Sequence, residues 1–218
     1  MRQFVILILV AFAFPAWAAN ETPVLASSET PALAASKTKA PDLTKIQGIP
    51  DIEVFMFCDG LMEAGCALFK AKEYKQAFAW FNNWAERGEA TSMNNMGVML
   101  EAGLGVKVDF KRARTLYLLS SEADVAIAQY NLGMMLGAQY MDFRDKKTKA
   151  SNAEIASRNE DLLNAYKWLR LAANQGHNKA MAGADELEPY MTANQIKMAL
   201  HRVGWTLRQM HKNPKTGK

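Results

Sequence analysis

The sequence predicts an all-α chain, an α-solenoid of antiparallel helix pairs closed by a C-terminal capping helix. Three observations predict it. A short motif returns at a step of 36 residues. Apolar residues recur three and four positions apart, the period of a helix face. Half of the 218 residues are apolar, with 13 glycines and 7 prolines, which excludes collagen-like, disulfide-dense and wholly disordered chains.

The register is explicit. Gly97 and Gly133 lie 36 residues apart, as do Asn95 and Asn131, Lys75-Gln76-Ala77 and Lys111-Arg112-Ala113, and Trp80-Phe81 and Leu116-Tyr117. A third copy follows at a step of 52, where Asn164-Ala165 and Trp168-Leu169 match Arg112-Ala113 and Leu116-Tyr117, and Ala180 matches Ala128. The third unit therefore carries 16 extra residues, between about Gly137 and Asp161. Each unit reads as two helices whose apolar faces only a neighbouring pair can cover, so the pairs stack.

The elements follow in order. Met1-Arg2-Gln3 is a basic start, Phe4 to Phe14 an apolar run of 11 residues, and Pro15 precedes Ala16-Trp17-Ala18. That order predicts a signal peptide over 1–18, cut after Ala18. The run falls short of the roughly 20 residues that span a bilayer, so no stable membrane insertion is expected after cleavage, and the mature chain is expected in a periplasm. Residues 19–50 hold Pro23, Pro31, Pro41 and Pro50 among Ala, Ser, Thr and Lys. With little to bury, they cannot offset their ordering entropy and are expected to be a disordered linker.

The repeat domain is expected over 51–190. Small residues mark each first helix, where a neighbour approaches closely. Each second helix carries Ala and then aromatic or aliphatic residues at helical spacing: Ala77, Trp80, Phe81 and Trp84; Ala113, Leu116 and Tyr117; Ala165, Trp168, Leu169 and Ala172. In unit two, Gly103-Leu104-Gly105-Val106 supplies a tight helix exit and an apolar plug, and Asp109 caps the next helix. The insertion at 138–161 is polar and reads as a disordered loop or a second contact surface. In the capping helix, 191–211, Thr192 is the expected N-cap, and Ile196, Leu200, Val203 and Leu207 line one face. A basic tail, 212–218, ends the chain.

Chemistry does not stand out. The 26 basic and 22 acidic residues leave a net charge of +4, too mild and too dispersed for a nucleic-acid partner. His177, His201 and His211 have no carboxylate or cysteine at ligand spacing, so no metal and no cofactor are expected. Glu122 with Asp124, and Glu154 with Glu160-Asp161, read as caps and solvated faces. There is no serine elbow, phosphate loop or HExxH, and no enzyme activity is expected. Met93, Met96, Met99, Met134 and Met135 read first as core, and second as adaptable contacts for a peptide or helix.

Ala-Gln-Tyr-Asn-Leu-Gly at 128–133, Gly-Leu-Gly-Val at 103–106 with Asp109 and Arg112-Ala113, and Leu-Ala-Ala-Asn-Gln-Gly at 171–176 resemble Sel-1-like repeats, relatives of tetratricopeptide repeats. Gly65, Tyr74, Ala77 and Phe81 look closer to a tetratricopeptide repeat, without the glycine loop. The resemblance covers about 58 to 187, and Met191 to Trp205 resembles the closing helix of such proteins.

The resemblance implies an adaptor that binds an envelope protein or peptide on the concave face lined by the first helices. In related grooves an asparagine at the position of Asn95 and Asn131 clamps a peptide backbone; read from the residues alone, these asparagines hydrogen-bond the turn of a neighbouring helix. The candidate partner-binding residues are Asn94, Asn95, Tyr130, Asn131 and Met134. Cysteine-rich relatives imply an alternative, a weak hydrolase or binder of cell-wall or β-lactam compounds. One branch of the family joins Cys-x7-Cys pairs, and Cys58 with Cys66 is similar. Against a bridge, the repeat register places 59 to 71 in one helix, where eight residues span about 12 Å, and a disulfide needs Cα atoms within about 7 Å. The pair reads as a disulfide or as two small buried thiols.

Overall fold

The computed structural model describes residues 56–146 and 150–212. The expected signal peptide (1–18) and linker (19–50), the first residues of the repeat domain (51–55) and the tail beyond Lys212 lie outside the described residues. Among those described there are eight α-helices and no strands: α1 (Glu63–Lys70), α2 (Tyr74–Ala85), α3 (Ala90–Ala102), α4 (Phe110–Glu122), α5 (Ala126–Lys146), α6 (Asn152–Asn174), α7 (Ala180–Leu187) and α8 (Ala193–Lys212). Short 3-10 turns at Gly60–Met62 and Glu188–Tyr190 precede α1 and follow α7. Consecutive helices pack as α1/α2, α3/α4 and α5/α6, and α6 carries both α7 and α8. In addition α3 touches α5, and α5 touches α7, so these three first helices form a continuous row.

The repeat register is a packing register. A Cβ built on Gly97 would lie 2.6 Å from the Tyr117 ring, and one on Gly133 would lie 2.6 Å from Leu169 Cγ. On Gly65 it would lie 2.5 Å from Phe81. Phe81, Tyr117 and Leu169 are therefore the same knob in three pairs, each seated on a helix position that admits no side chain. Gly65 precedes Gly97 by 32 residues instead of 36 because α1 and α2 are joined by three residues, whereas α3 and α4 are joined by seven. Those seven hold the expected exit: Gly103 and Gly105 take φ of +70° and +72°, Val106 packs against the core, and Asp109 accepts a hydrogen bond from the Arg112 amide at 2.9 Å.

The described residues of the insertion, 138–146 and 150–161, are almost all helical instead of forming a disordered loop. α5 has 21 residues against 13 in α3, and α6 has 23 against 13 in α4. The connection, 147–151, is two residues shorter than 103–109, so longer helices account for all 16 extra residues. Local physics favours the extension. Ser151 caps α6 through the Glu154 amide at 3.2 Å, and Lys146 pairs with Asp142 one turn back. Tyr140 and Met141 pack on the core, and the Arg144 guanidinium lies 4.4 Å from the centre of the Tyr190 ring.

α8 closes the stack against α6. Ile196, Val203 and Leu207 pack on the core as expected. Leu200 does not: it is 41% exposed, and Ala199, fully buried, takes the inner position. Positions 199 and 200 flank the face set by 196, 203 and 207 on opposite sides, and the stack buries the smaller side chain, which lets α8 approach closely. Thr192 and Gln195 form a reciprocal capping box. Thr192 Oγ1 accepts from the Gln195 amide at 3.2 Å, and Gln195 Oε1 accepts from the Thr192 amide at 2.8 Å. Thr192→Ala is expected to destabilise the fold by about 1 kcal/mol, lowering Tm by roughly 2–4 °C in a thermal melt.

Candidate functional site

The first-helix row carries the candidate residues, and all but Met134 are buried. Asn94 and Asn95 are fully buried, Asn131 is 4% exposed and Tyr130 is 7% exposed. Met134 is half-buried, and its Sδ lies 3.2 Å from where a Gly183 Cβ would sit, so it fills the α5/α7 contact.

α3 is aimed by its own N-cap. Glu89 accepts from the Thr91 amide at 3.0 Å and also from the Ser92 amide. This sets the helix so that Asn94 and Asn95 enter a polar ladder. Asn131 Nδ2 donates to Asn94 Oδ1 at 2.8 Å, and Asn94 Nδ2 donates to Asn95 Oδ1 at 3.2 Å. Asn95 then grips main chain. Its Oδ1 accepts the Phe57 N–H and its Nδ2 donates to the Phe57 carbonyl, both at 2.8 Å. A carboxamide reading both backbone groups of one residue is the chemistry expected of a peptide clamp, and here the peptide is the chain's own segment just before α1.

Cys58, the next residue, is joined to Cys66 by a disulfide, with Cα atoms 5.7 Å apart. The two cysteines are not on one helix. Among the described residues helical structure begins at Gly60, whose φ is +56°, and the bend at Asp59-Gly60 returns Cys58 over α1. The repeat register misplaced this helix start because Gly60, at a positive φ, cannot continue a regular helix backwards.

Around the ladder, Tyr130 stacks on His177 with ring centres 4.2 Å apart. Burial, aided by nearby Lys179, holds the His177 imidazolium below its ordinary pKa. Burial and the Glu186 charge raise the Tyr130 phenol. Behind the ladder, the fully buried Tyr117 donates to Glu101 Oε2 at 2.8 Å. Burial pushes the Glu101 carboxyl up to about 7, and the Tyr117 hydrogen bond offsets part of that rise. Among the described residues no group of three histidine, cysteine or acidic side chains is placed to hold a metal ion.

Asp161 departs from the sequence reading. It is 4% exposed, not part of a solvated face, and it accepts from Arg114 at 2.8 Å and Arg158 at 3.0 Å. The signal was present in the register: Asp161 lies 52 residues after Asp109, the position of a second-helix cap. Because α6 starts ten residues earlier than that register requires, the carboxylate sits inside the helix and turns to α4. Asp161→Ala is expected to cost about 2 kcal/mol, since both arginines retain access to water. Urea unfolding would show a lower midpoint at unchanged slope.

Stacked antiparallel helix pairs, glycine seats for one recurring knob and a row of first-helix asparagines define an α-helical repeat protein of the solenoid class. The Sel1 repeat matches residues 69–89, 90–125, 126–147 and 156–177, and the chain belongs to the Sel1-like repeat family. The interval between the last two matches is the α5–α6 connection and the first residues of α6.

Over 49 residues the chain is 39% identical to a sel1-like repeat-containing protein of Acanthamoeba polyphaga mimivirus, which covers 22% of this chain and 9% of that one. The crystal structure of c5321, a protective antigen present in uropathogenic Escherichia coli strains displaying an SLR fold, superposes with a TM-score of 0.53 at 22% identity, covering 69% of this chain and 31% of that one. This second likeness shows the fold. The chain spans under a tenth of the curated relative and about a third of the solved one. Sel1 repeats are generally protein–protein interaction modules without catalysis of their own. No helix among the described residues is long and apolar enough to cross a membrane.

Proposed function

We propose that this chain is an exported, periplasmic interaction module that binds a partner protein or peptide of the envelope through its row of first helices. The observation that carries the reading is the Asn95 carboxamide, whose two 2.8 Å hydrogen bonds hold the backbone of Phe57. A first helix that grips extended main chain has the chemistry of a peptide-binding face. Export rests on the order of basic start, apolar run and small-residue cut site at 1–18, and a disulfide is at home in an oxidising compartment.

Binding accounts for the site better than hydrolysis does. Both cysteines are consumed in the disulfide, and the buried Ser120 and Ser121 hydroxyls have no hydrogen-bonded base. The test is affinity capture from an envelope extract with the chain from residue 19 onward, beside a folded Asn95→Ala/Asn131→Ala variant, together with osmotic-shock fractionation of the native protein. The reading expects release with periplasmic contents and a partner captured by the wild type and lost by the variant. Equal capture by both would place the binding surface elsewhere, and retention in the cytosol would overturn the location.

A further inference from the structure

The first-helix clamp is filled, and the filler is covalently pinned. Asn95 is fully buried, and both polar ends of its side chain are spent on Phe57. The bound segment lies as a ligand would. Its backbone faces α3, Met56 is 6% exposed and belongs to the core cluster, and the Phe57 side chain is 37% exposed. The bond that fixes this arrangement is one residue away, at Cys58–Cys66. Without it, the segment is tied to α1 only through the Asp59–Met62 turn.

We propose that Met56–Cys58 is an internal occupant of the peptide clamp and that the Cys58–Cys66 disulfide decides whether the clamp is available. The inference rests on the interaction-module reading and specifies its ligand and its control. The ligand is an extended peptide main chain, with an apolar side chain for the Met56 site immediately before the residue that Asn95 holds. The control is thiol–disulfide exchange with a dithiol. A thiolate of the dithiol attacks one sulfur of the bridge, and its second thiol resolves the mixed disulfide. Cys58 and Cys66 leave as two thiols, and the dithiol takes up the disulfide, so two electrons and two protons pass to the protein.

Magnitude decides whether such a lock matters. Opening a cross-link around a nine-residue loop corresponds, in the chain-entropy account, to a change on the order of 10²-fold in the local opening equilibrium. The tethered segment otherwise competes with any partner at the high effective concentration of a short linker. Reduction lowers that competition without unfolding the stack, because α3 to α8 contain no cysteine.

The experiment uses the full chain and a fluorescein-labelled peptide copying residues 51–58 with serine in place of the cysteine. Binding is followed by fluorescence anisotropy to the oxidised chain, to the chain reduced with dithiothreitol, and to a Cys58→Ser/Cys66→Ser variant. The expected result is saturable binding to the reduced chain and to the double variant, up to about 10²-fold tighter than to the oxidised chain. A second peptide carrying Phe57→Pro, which has no N–H to give Asn95, is expected to bind at least tenfold more weakly. Equal binding to oxidised and reduced chains overturns the lock. No binding to any form overturns the clamp as a peptide site. Circular dichroism of each form, matched to the oxidised chain, shows that the helices are intact.

Envelope capture run in both redox states separates this proposal from the broader reading. A partner captured equally in both states, with no peptide binding, leaves the interaction module standing and removes the lock. Loss of both removes the module reading as well.

Discussion

Gly105→Ala is expected to be among the most damaging single-methyl additions in this chain. Gly105 holds a φ of +72°, and its new Cβ would lie 2.4 Å from the Tyr74 carbonyl carbon and 2.7 Å from the Lys75 amide nitrogen. The left-handed conformation costs alanine about 1 kcal/mol. The overlap is with backbone, which cannot rotate aside, and displacing the start of α2 adds a further 1–3 kcal/mol, roughly. Together these give a loss of about 3 kcal/mol, or a Tm lower by roughly 6–12 °C. Gly88→Ala is the matched control: its φ is +85°, but nothing lies within 4 Å of the added atom. It is expected to show the conformational part alone, about 1 kcal/mol. Equal effects at the two glycines would show that contact between the glycine loop and the preceding unit does not hold the stack together.

The second large effect is a pH dependence at Glu101. Burial raises its folded-state pKa from 4.5 to about 7, against the opposing Tyr117 hydrogen bond. The sign follows from proton linkage. Below pH 4.5 the carboxyl is protonated in both states and costs nothing. Between 4.5 and 7 the unfolded chain has released its proton and the folded chain has not, so stability falls as pH rises. Above 7 the full penalty is present. The rise from 4.5 to about 7 corresponds to at most about 3 kcal/mol. Glu101→Gln keeps an acceptor for Tyr117 and removes the charge. It is expected to match the wild type at pH 4 and to exceed its stability at pH 8 by up to about 3 kcal/mol, read from urea unfolding at the two pH values. A variant less stable than the wild type at pH 8 would show that the carboxylate is stabilising there.

The repeat was legible because it is a packing rule written at fixed spacing. Phe81, Tyr117 and Leu169 announce their shared role through the 36- and 52-residue steps, and Gly65, Gly97 and Gly133 are the seats they need. Asp109 and Thr192 were legible as caps because a short acceptor side chain before an apolar helix has few other uses. The extension of α5 and α6 was hidden by its polarity. Beyond the core, helix is held by capping and charge pairs such as Lys146–Asp142, whose composition is that of a loop. Asp161 was hidden for the same reason: its burial depends on Arg114, 47 residues away.

The candidate asparagines were legible as a group, but their occupant was not. Nothing in the pattern of Asn94, Asn95 and Asn131 says that residues 56–58 double back, because that path depends on the bend at Gly60 and on the bond between Cys58 and Cys66. The family resemblance pointed to a backbone clamp, and the residues alone to a hydrogen bond with a neighbouring helix's turn. The fold shows main chain already in it, and that difference turns an open groove into a guarded one.

Amide hydrogen exchange at Phe57, in the intact oxidised chain, tests this most directly. An N–H donated to a buried carboxamide is expected to exchange at least 10²-fold more slowly, in order of magnitude, than the same residue in an unstructured peptide. Exchange at the unstructured rate, while the amides of Met99 and Leu100 on the same helix system stay protected, would contradict the account.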